Sequence, residues 1–257
     1  FDHGLFTAIC DFDANLEEEA FAYAEQRVRD TASRLAVTNR ASECADSVVR
    51  AFEANDVDGV LGCYSDDFVF EDRRQLSGAL LRGKAALRTD VELFLRQFDD
   101  FGWQTIAVRG ETLALCRNRW SDRSGNESRS LQLVETNHEG LTVYGCRFDE
   151  DDFEDAYREL EARYYAGEGA AFAEYGRFNT DYLATMNRGD FDAMFNELTS
   201  PEFHFENRGH SIFPNRSARE LRASFEDLYA RLASVRAWFS ALRWVSPTVH
   251  AARFERE

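Results

Sequence analysis

Apolar residues recur along the chain first at helical and then at alternating spacing, and these two periods sort it into elements. Over 41–54, Val48, Val49 and Phe52 fall on one helical face. A short helix is expected over 56–64, opened by Asp56 as N-cap. In 67–73, Phe68, Phe70 and Asp72 share one face and Val69 and Glu71 the other, the period of a strand. Leu87, Val91, Phe94 and Leu95 predict a third helix over 84–98. Four strands are expected next, at 102–109, 112–121, 127–136 and 141–149, with turns at Gly110, Gly125-Asn126 and Gly140. Three helices lying on one face of a curved antiparallel sheet make an α+β module with a cone-shaped interior.

The pattern then repeats. Residues 4–27 and 140–163 correspond, pairing Gly4 with Gly140, Cys10 with Cys146 and Phe12 with Phe148. RAFEANDVDGV (50–60) corresponds to ATMNRGDFDAM (184–194), and FVFEDR (68–73) to FHFENR (203–208), at a spacing of about 135 residues. The segment from about 170 repeats the element order: a helix to 187, a short helix 190–198, a strand 202–207, a helix 217–233, and strands 236–244 and 248–256. Helical periodicity with acidic starts at 15–35 and 151–165 marks helices that bridge modules; the second carries Phe153, Ala156, Tyr157, Leu160 and Tyr164. The expected organisation is therefore a terminal strand and bridging helix (1–40), a complete module (41–150), a bridging helix (151–168) and a second, C-terminally truncated module (169–257). This reads as a fragment of a longer protein, in which strand 4–13 would patch the open edge of the truncated module's sheet.

Composition narrows the function classes. A net charge of −17 over 257 residues opposes binding to nucleic-acid phosphates or anionic membranes. No run of 18 apolar residues occurs, so no membrane span is expected. Five cysteines without a CxxC pair suit neither a zinc site nor a disulfide framework and point to reduced thiols in a cytoplasm. Neither a metal nor a cofactor is expected: His204 and Glu206 share a strand face, with His210 nearby, but that face is opposite Phe203, Phe205 and Asn207 and outside the pocket.

The element order and the string YSDDFVFEDRRQLSGALLRGKAALR (64–88) resemble the nuclear transport factor 2-like superfamily, which includes SnoaL-like polyketide cyclases and ketosteroid isomerase. The resemblance rests on the turn Glu53 to Asp58, the strand end Glu71-Asp72 and the helix start Gly83 to Arg88. It implies the cone fold, which hosts enzymes, binding modules and scaffolds alike. For an isomerase it implies Asp72 as general base, with the oxyanion tyrosine position at Val48 and the acid position near Gln132. The second module has the opposite losses: Tyr182 stands at the tyrosine position and Asn207 at the base position. The phrases EEAFAYAEQR (18–27) and ASRLAVTNRAS (32–42) are similar to the C-terminal regions of large actinobacterial signalling proteins.

Each candidate has a competing structural role. Asp72 beside aromatics would have a raised pKa, useful for a base, or would simply pair with Arg73, Arg74 or Arg119. Arg117 and Arg119 share a strand face opposite Trp120; facing the cone they would hold a carboxylate or phosphate, facing outward they are surface charges. Tyr64, Phe94 and Phe98 would line the interior whatever the function, while Trp103 and Trp238 begin equivalent strands as core or interface residues. The ligand set expected on these grounds is Phe68, Phe70, Asp72, Phe94, Arg117, Arg119, Tyr182 and Asn207, with Asp72 and Gln132 catalytic only in an enzyme. Because neither module carries the full constellation, the leading expectation is a non-enzymatic array binding a small, partly apolar molecule or a sister module, within a larger cytoplasmic regulator. The alternative is a cyclase, isomerase or dehydratase using Asp72. A third possibility is cones filled by their own side chains, forming a homodimer through the sheet face.

Overall fold

The computed structural model describes residues 35–200, 202–206, 214–232 and 234–257. All elements below belong to the unit Val37–Glu257. The expected helix 15–35, strand 4–13, Cys10, Asn207 and His210 lie outside the described residues.

Helix α1 (Arg40–Glu53) opens on a capping box, in which the Asn39 side chain accepts from Ser42 N and the Ser42 hydroxyl accepts from Asn39 N. Asn39 Nδ2 also donates to the carbonyls of Gly110 and Leu113, at 3.0 and 2.9 Å, which ties the helix start to a strand turn. Helix α2 (Val57–Gly62) starts at Asp56, whose carboxylate accepts from Gly59 N as the sequence predicted. Strand β1 (Tyr64–Asp72) leads through the short β2 (Leu80–Arg82) into α3 (Gly83–Gln97). A meander follows: β3 (Asp100–Arg109), β4 (Leu113–Ser121), β5 (Glu127–Thr136) and β6 (Thr142–Asp149). The sheet order is β2-β1-β6-β5-β4-β3, with β1 parallel to β6 and the other pairs antiparallel. Register shifts in the β3–β4 and β5–β6 pairs mark bulges, the usual device for bending strands into a curved sheet. The architecture is α+β, as expected.

Both faces of this sheet are buried. On the inner face, Val48, Phe52, Val60, Leu61, Tyr64, Phe68, Phe70, Leu87 and Val91 form one apolar cluster beneath α1, α2 and α3. On the outer face, Leu113, Leu115, Leu131, Leu133, Cys146 and Phe148 pack against α4 (Phe153–Ala166) through Phe153, Ala156, Leu160 and Tyr164. Helix α4 is therefore a packed layer as well as a connector. Its apolar stripe covers the face that the dimer expectation required to be open.

The same outer cluster continues into the rest of the chain. Beyond the 3₁₀ turn Ala170–Phe172 come α5 (Ala173–Arg188), α6 (Phe191–Asn196), β7 (His204–Phe205), β8 (Arg216–Ser217), α7 (Ala218–Tyr229), β9 (Ala237–Ser246) and β10 (Val249–Arg256). From Ala173 onward, this order repeats that of Arg40 to Ser121. Gly189, at φ +68°, ends α5 in the left-handed conformation a side chain would strain. Leu183, Met186, Phe191, Met194, Trp238 and Leu242 join the outer cluster, and Trp238 Nε1 donates to Ile106 O at 2.9 Å. Beneath them lies a fully buried ion pair: Arg109 donates to Glu161 Oε1 at 2.5 and 2.8 Å, to Tyr157 Oη, and to Phe239 O at 2.9 Å. It joins β3, α4 and β9.

Candidate functional site

Strand pairing brings the site together. Asp72 on β1 is the register partner of Arg147 on β6, Arg147 of Gln132 on β5, and Gln132 of Cys116 on β4. These four positions make one row across the cone's inner face. Neighbouring rows supply Phe70 and Phe68 from β1 and Asn118 and Trp120 from β4. Gly145, two residues before Arg147, is required where it stands, because a Cβ there would meet the Phe70 ring at 2.9 Å.

The interior is narrow. Phe52, Tyr64, Phe68, Phe70, Phe94, Trp103, Trp120, Gln132, Arg147 and Asp90 are among the residues lining a cavity of about 40 Å³. A single water needs about 10–15 Å³, whereas pockets for drug-sized ligands run from roughly 300 Å³. Most of the space is taken by rings: Phe94 meets Trp120 edge-on at 4.5 Å, and Tyr64 meets Phe68 at 4.6 Å.

Asp72 is buried, yet its carboxylate is already engaged. Arg74 holds both oxygens, Nε to Oδ1 at 2.9 Å and Nη2 to Oδ2 at 2.7 Å, and Arg74 N adds a bond at 3.2 Å. Burial pushes the pKa up, but hydrogen bonds from Arg74 and Ser77 and the charges of Arg74 and Arg147 outweigh it, leaving Asp72 below the usual aspartate value. The expected raised pKa is thus corrected: the aromatic surroundings are overruled by a fork two residues along the chain. A carboxyl whose folded pKa is depressed stabilises the fold above its unfolded pKa, and that contribution is lost as pH falls through the folded value. Acid unfolding followed below about pH 3.8 should accordingly show a shallower loss of stability in Asp72→Asn than in the parent. Identical slopes would mean that the pair does not persist in solution.

Arg147 is the residue that sequence reasoning missed. Its guanidinium lies 4.9 Å over the Phe70 ring and 5.9 Å from Trp120, an aromatic cage for a cation. Nη2 donates to Gln132 Oε1 at 3.3 Å, an oxygen that also accepts from Asn118 Nδ2 at 3.1 Å. Burial and the like charge of Arg74 lower its pKa, but a guanidinium stays protonated in proteins. Asp90, at the rim, has its pKa raised by burial. Alternation along 142–149 does set Arg147 apart from Cys146 and Phe148. That is a signal in the sequence, but with both sheet faces buried it does not say which face lies inside.

The other expected site residues divide. Phe68, Phe70, Phe94 and Gln132 line the cavity, and Val48, at the tyrosine position, lies there with no donor to offer. Arg117 and Arg119 occupy the opposite face of β4. Arg117 pairs with Glu257 at 3.0 Å, and Arg119 with Asp100 at 2.7 Å and Glu127 at 3.4 Å. The pleat that turns Trp120 inward turns them away from the cone. Tyr182 lies on α5, packed against the outer cluster and away from this cavity, its phenol pushed up to about 12 by burial. Cys116, in the site row, has its thiol raised to about 12 by burial and is no nucleophile at neutral pH. Among the described residues, no group of three or more His, Cys, Asp or Glu side chains gathers as metal ligands, and no helix is long and apolar enough to cross a membrane.

Residues 45–148 match the model of the SnoaL-like domain. Similar solved structures include a Mycobacterium tuberculosis protein in complex with estradiol-17beta-hemisuccinate, 18% identical, covering 43% of this chain and 93% of that one at a TM-score of 0.37. The Δ5-3-ketosteroid isomerase of Mycobacterium sp. is 17% identical, covering 45% and 96% at a TM-score of 0.38. A computationally designed 17-OHP binder is 18% identical, covering 44% and 94% at 0.39. No curated protein matches the sequence.

Proposed function

We propose that the cone from Arg40 to Asp149 is a non-enzymatic module that binds a small, partly apolar molecule. The observation that carries this reading is the state of Asp72: both carboxylate oxygens are held by Arg74 and its pKa is lowered, so it is poorly placed to take a proton from a substrate. Val48 supplies no oxyanion donor, and each such donor is worth about 3 kcal/mol of transition-state stabilisation. What remains is an aromatic-lined interior with a few polar groups, the make-up of a binding pocket. On the same reading, the segment from Ala173 is a sister module packed on the outer face of the sheet. The repeated element order and the terminal phrases support an array within a larger cytoplasmic regulator.

A thermal-shift screen of the full chain against single-ring carbonyl compounds, alcohols and acids, run with Asp72→Asn in parallel, tests the proposal. A ligand at 100 times its Kd should add about 2.7 kcal/mol, a rise of several degrees, and should act on parent and variant alike. Turnover of a carbonyl compound by the parent, abolished in Asp72→Asn, would establish the isomerase or cyclase reading instead.

A further inference from the structure

The polar groups of the cone are unevenly satisfied. Asp72 and Arg147 face each other in strand register, yet Asp72 spends both oxygens on Arg74. Among the described residues, no carboxylate comes within ion-pair distance of Arg147, and its single hydrogen bond is the 3.3 Å contact to Gln132. Arg147 Nε is buried without a partner, and so is the indole Nε1 of Trp103, which lines the same cavity. Gln132 has its oxygen pinned by Arg147 and Asn118. The cavity is therefore walled by rings and contains a guanidinium and donors without acceptors. Asp90 is the one carboxylate lining it among the described residues; it sits at the rim, with the residue partly open to solvent and its carboxyl desolvated enough for burial to raise its pKa.

Asp72 and Asp90 act on the Arg147 charge only at a distance. A buried guanidinium with no carboxylate in hydrogen-bond reach is a liability to the fold, and its fork of N–H donors has a natural complement in a planar carboxylate. We propose that the cone's ligand is a small carboxylic acid with a short apolar or single-ring body, its carboxylate held by Arg147 and its body among Phe68, Phe70 and Trp120. This rests on the binding-module reading above and adds the sign of the ligand's charge. A ring-sized body exceeds the present cavity of about 40 Å³, so some of the lining rings must shift as it enters.

Benzoate, with benzamide and benzyl alcohol as neutral counterparts of the same shape, is the probe set, titrated into the full chain and followed by calorimetry and by the arginine Nε–H resonances. The expected result is benzoate binding at least tenfold tighter than either neutral compound, with the Arg147 Nε–H signal shifted on saturation. Arg147→Met should lose this selectivity while melting at or above the parent temperature, since it removes an unpaired buried charge. Should that variant fail to fold, the Nε–H shift in the parent chain decides the matter alone. Equal binding of benzoate and benzamide, or an unmoved Arg147 signal, would overturn the carboxylate assignment while leaving a binding module. Binding by none of the three compounds here, with no hit in the broader screen, would remove both readings.

Discussion

Glu161→Gln should destabilise the chain by about 3–5 kcal/mol, which makes it one of the most damaging single substitutions available. Arg109 has no solvent exposure and Glu161 very little, and Glu161 Oε1 accepts from two nitrogens of the guanidinium. Losing the carboxylate charge leaves a buried cation with only neutral acceptors, the new amide oxygen together with Val108 O, Tyr157 Oη and Phe239 O. The pair itself is no surplus of stability, because both ions were taken out of water to form it and Glu161 Oε2 still lacks a partner. Replacing both members, Arg109→Met with Glu161→Leu, should therefore recover most of the loss. Urea unfolding of the parent, Arg109→Met, Glu161→Leu and the double variant, with Glu161→Gln alongside, measures this. A double variant as unstable as the sum of the singles would show that the two side chains act independently, against the geometry. Because the network reaches β9 through Phe239 O, the single variants should also loosen the hold of the 237–256 hairpin on β3.

The contrast between this joint and the cone interior explains what could be read from the sequence. Element order and most boundaries were legible, because long helices and alternating strands impose periods that survive in the residues. Asp56 as a cap and Gly110, Gly125 and Gly140 as turns were legible too; all three glycines take positive φ, between 54° and 83°. Strand β2 was not, since Leu80–Arg82 is too short to show any alternation. In the site, the shared face of Phe68, Phe70 and Asp72 was legible from alternation along β1, whereas Gln132 came only through the family resemblance. Arg117 and Arg119 were ambiguous because alternation shows which residues share a face but not which face lines the cone, and Trp120 settled the matter only once the sheet was assembled. Arg147 was hidden for the same reason. Asp72 presented a different difficulty: Arg74 was visible as a possible partner two residues away, but whether burial or that pair governs the carboxyl depends on where the chain turns after β1. The fully buried Arg109 gave no sign at all, as arginines are ordinarily exposed and its partner lies on a helix fifty residues away.

Phe68→Ala should destabilise the chain by about 3–5 kcal/mol through the opposite face of the sheet. Phe68 is 1% exposed and sits between Tyr64 and Phe70, with ring centroids at 4.6 and 6.4 Å. Its loss removes apolar burial and leaves a void beside the existing cavity, in a wall of rings that β1 and α1 hold in place. Phe153, also 1% exposed, provides the control: it packs on the outer face against Tyr157 and Trp238, and Phe153→Ala should lose a similar amount. The two differ in what can be restored. An enlarged apolar cavity binds benzene readily, so benzene should raise the melting temperature of Phe68→Ala well above its effect on the parent. It should do so equally whether or not Arg147 is present, because a neutral ring does not call on the guanidinium. Benzene rescue of Phe68→Ala together with retained benzoate preference would place ring and carboxylate in one pocket, with separable contributions. A loss below about 1 kcal/mol for Phe68→Ala would mean that the aromatic wall is loosely packed, and the narrow cavity would then say little about ligand size.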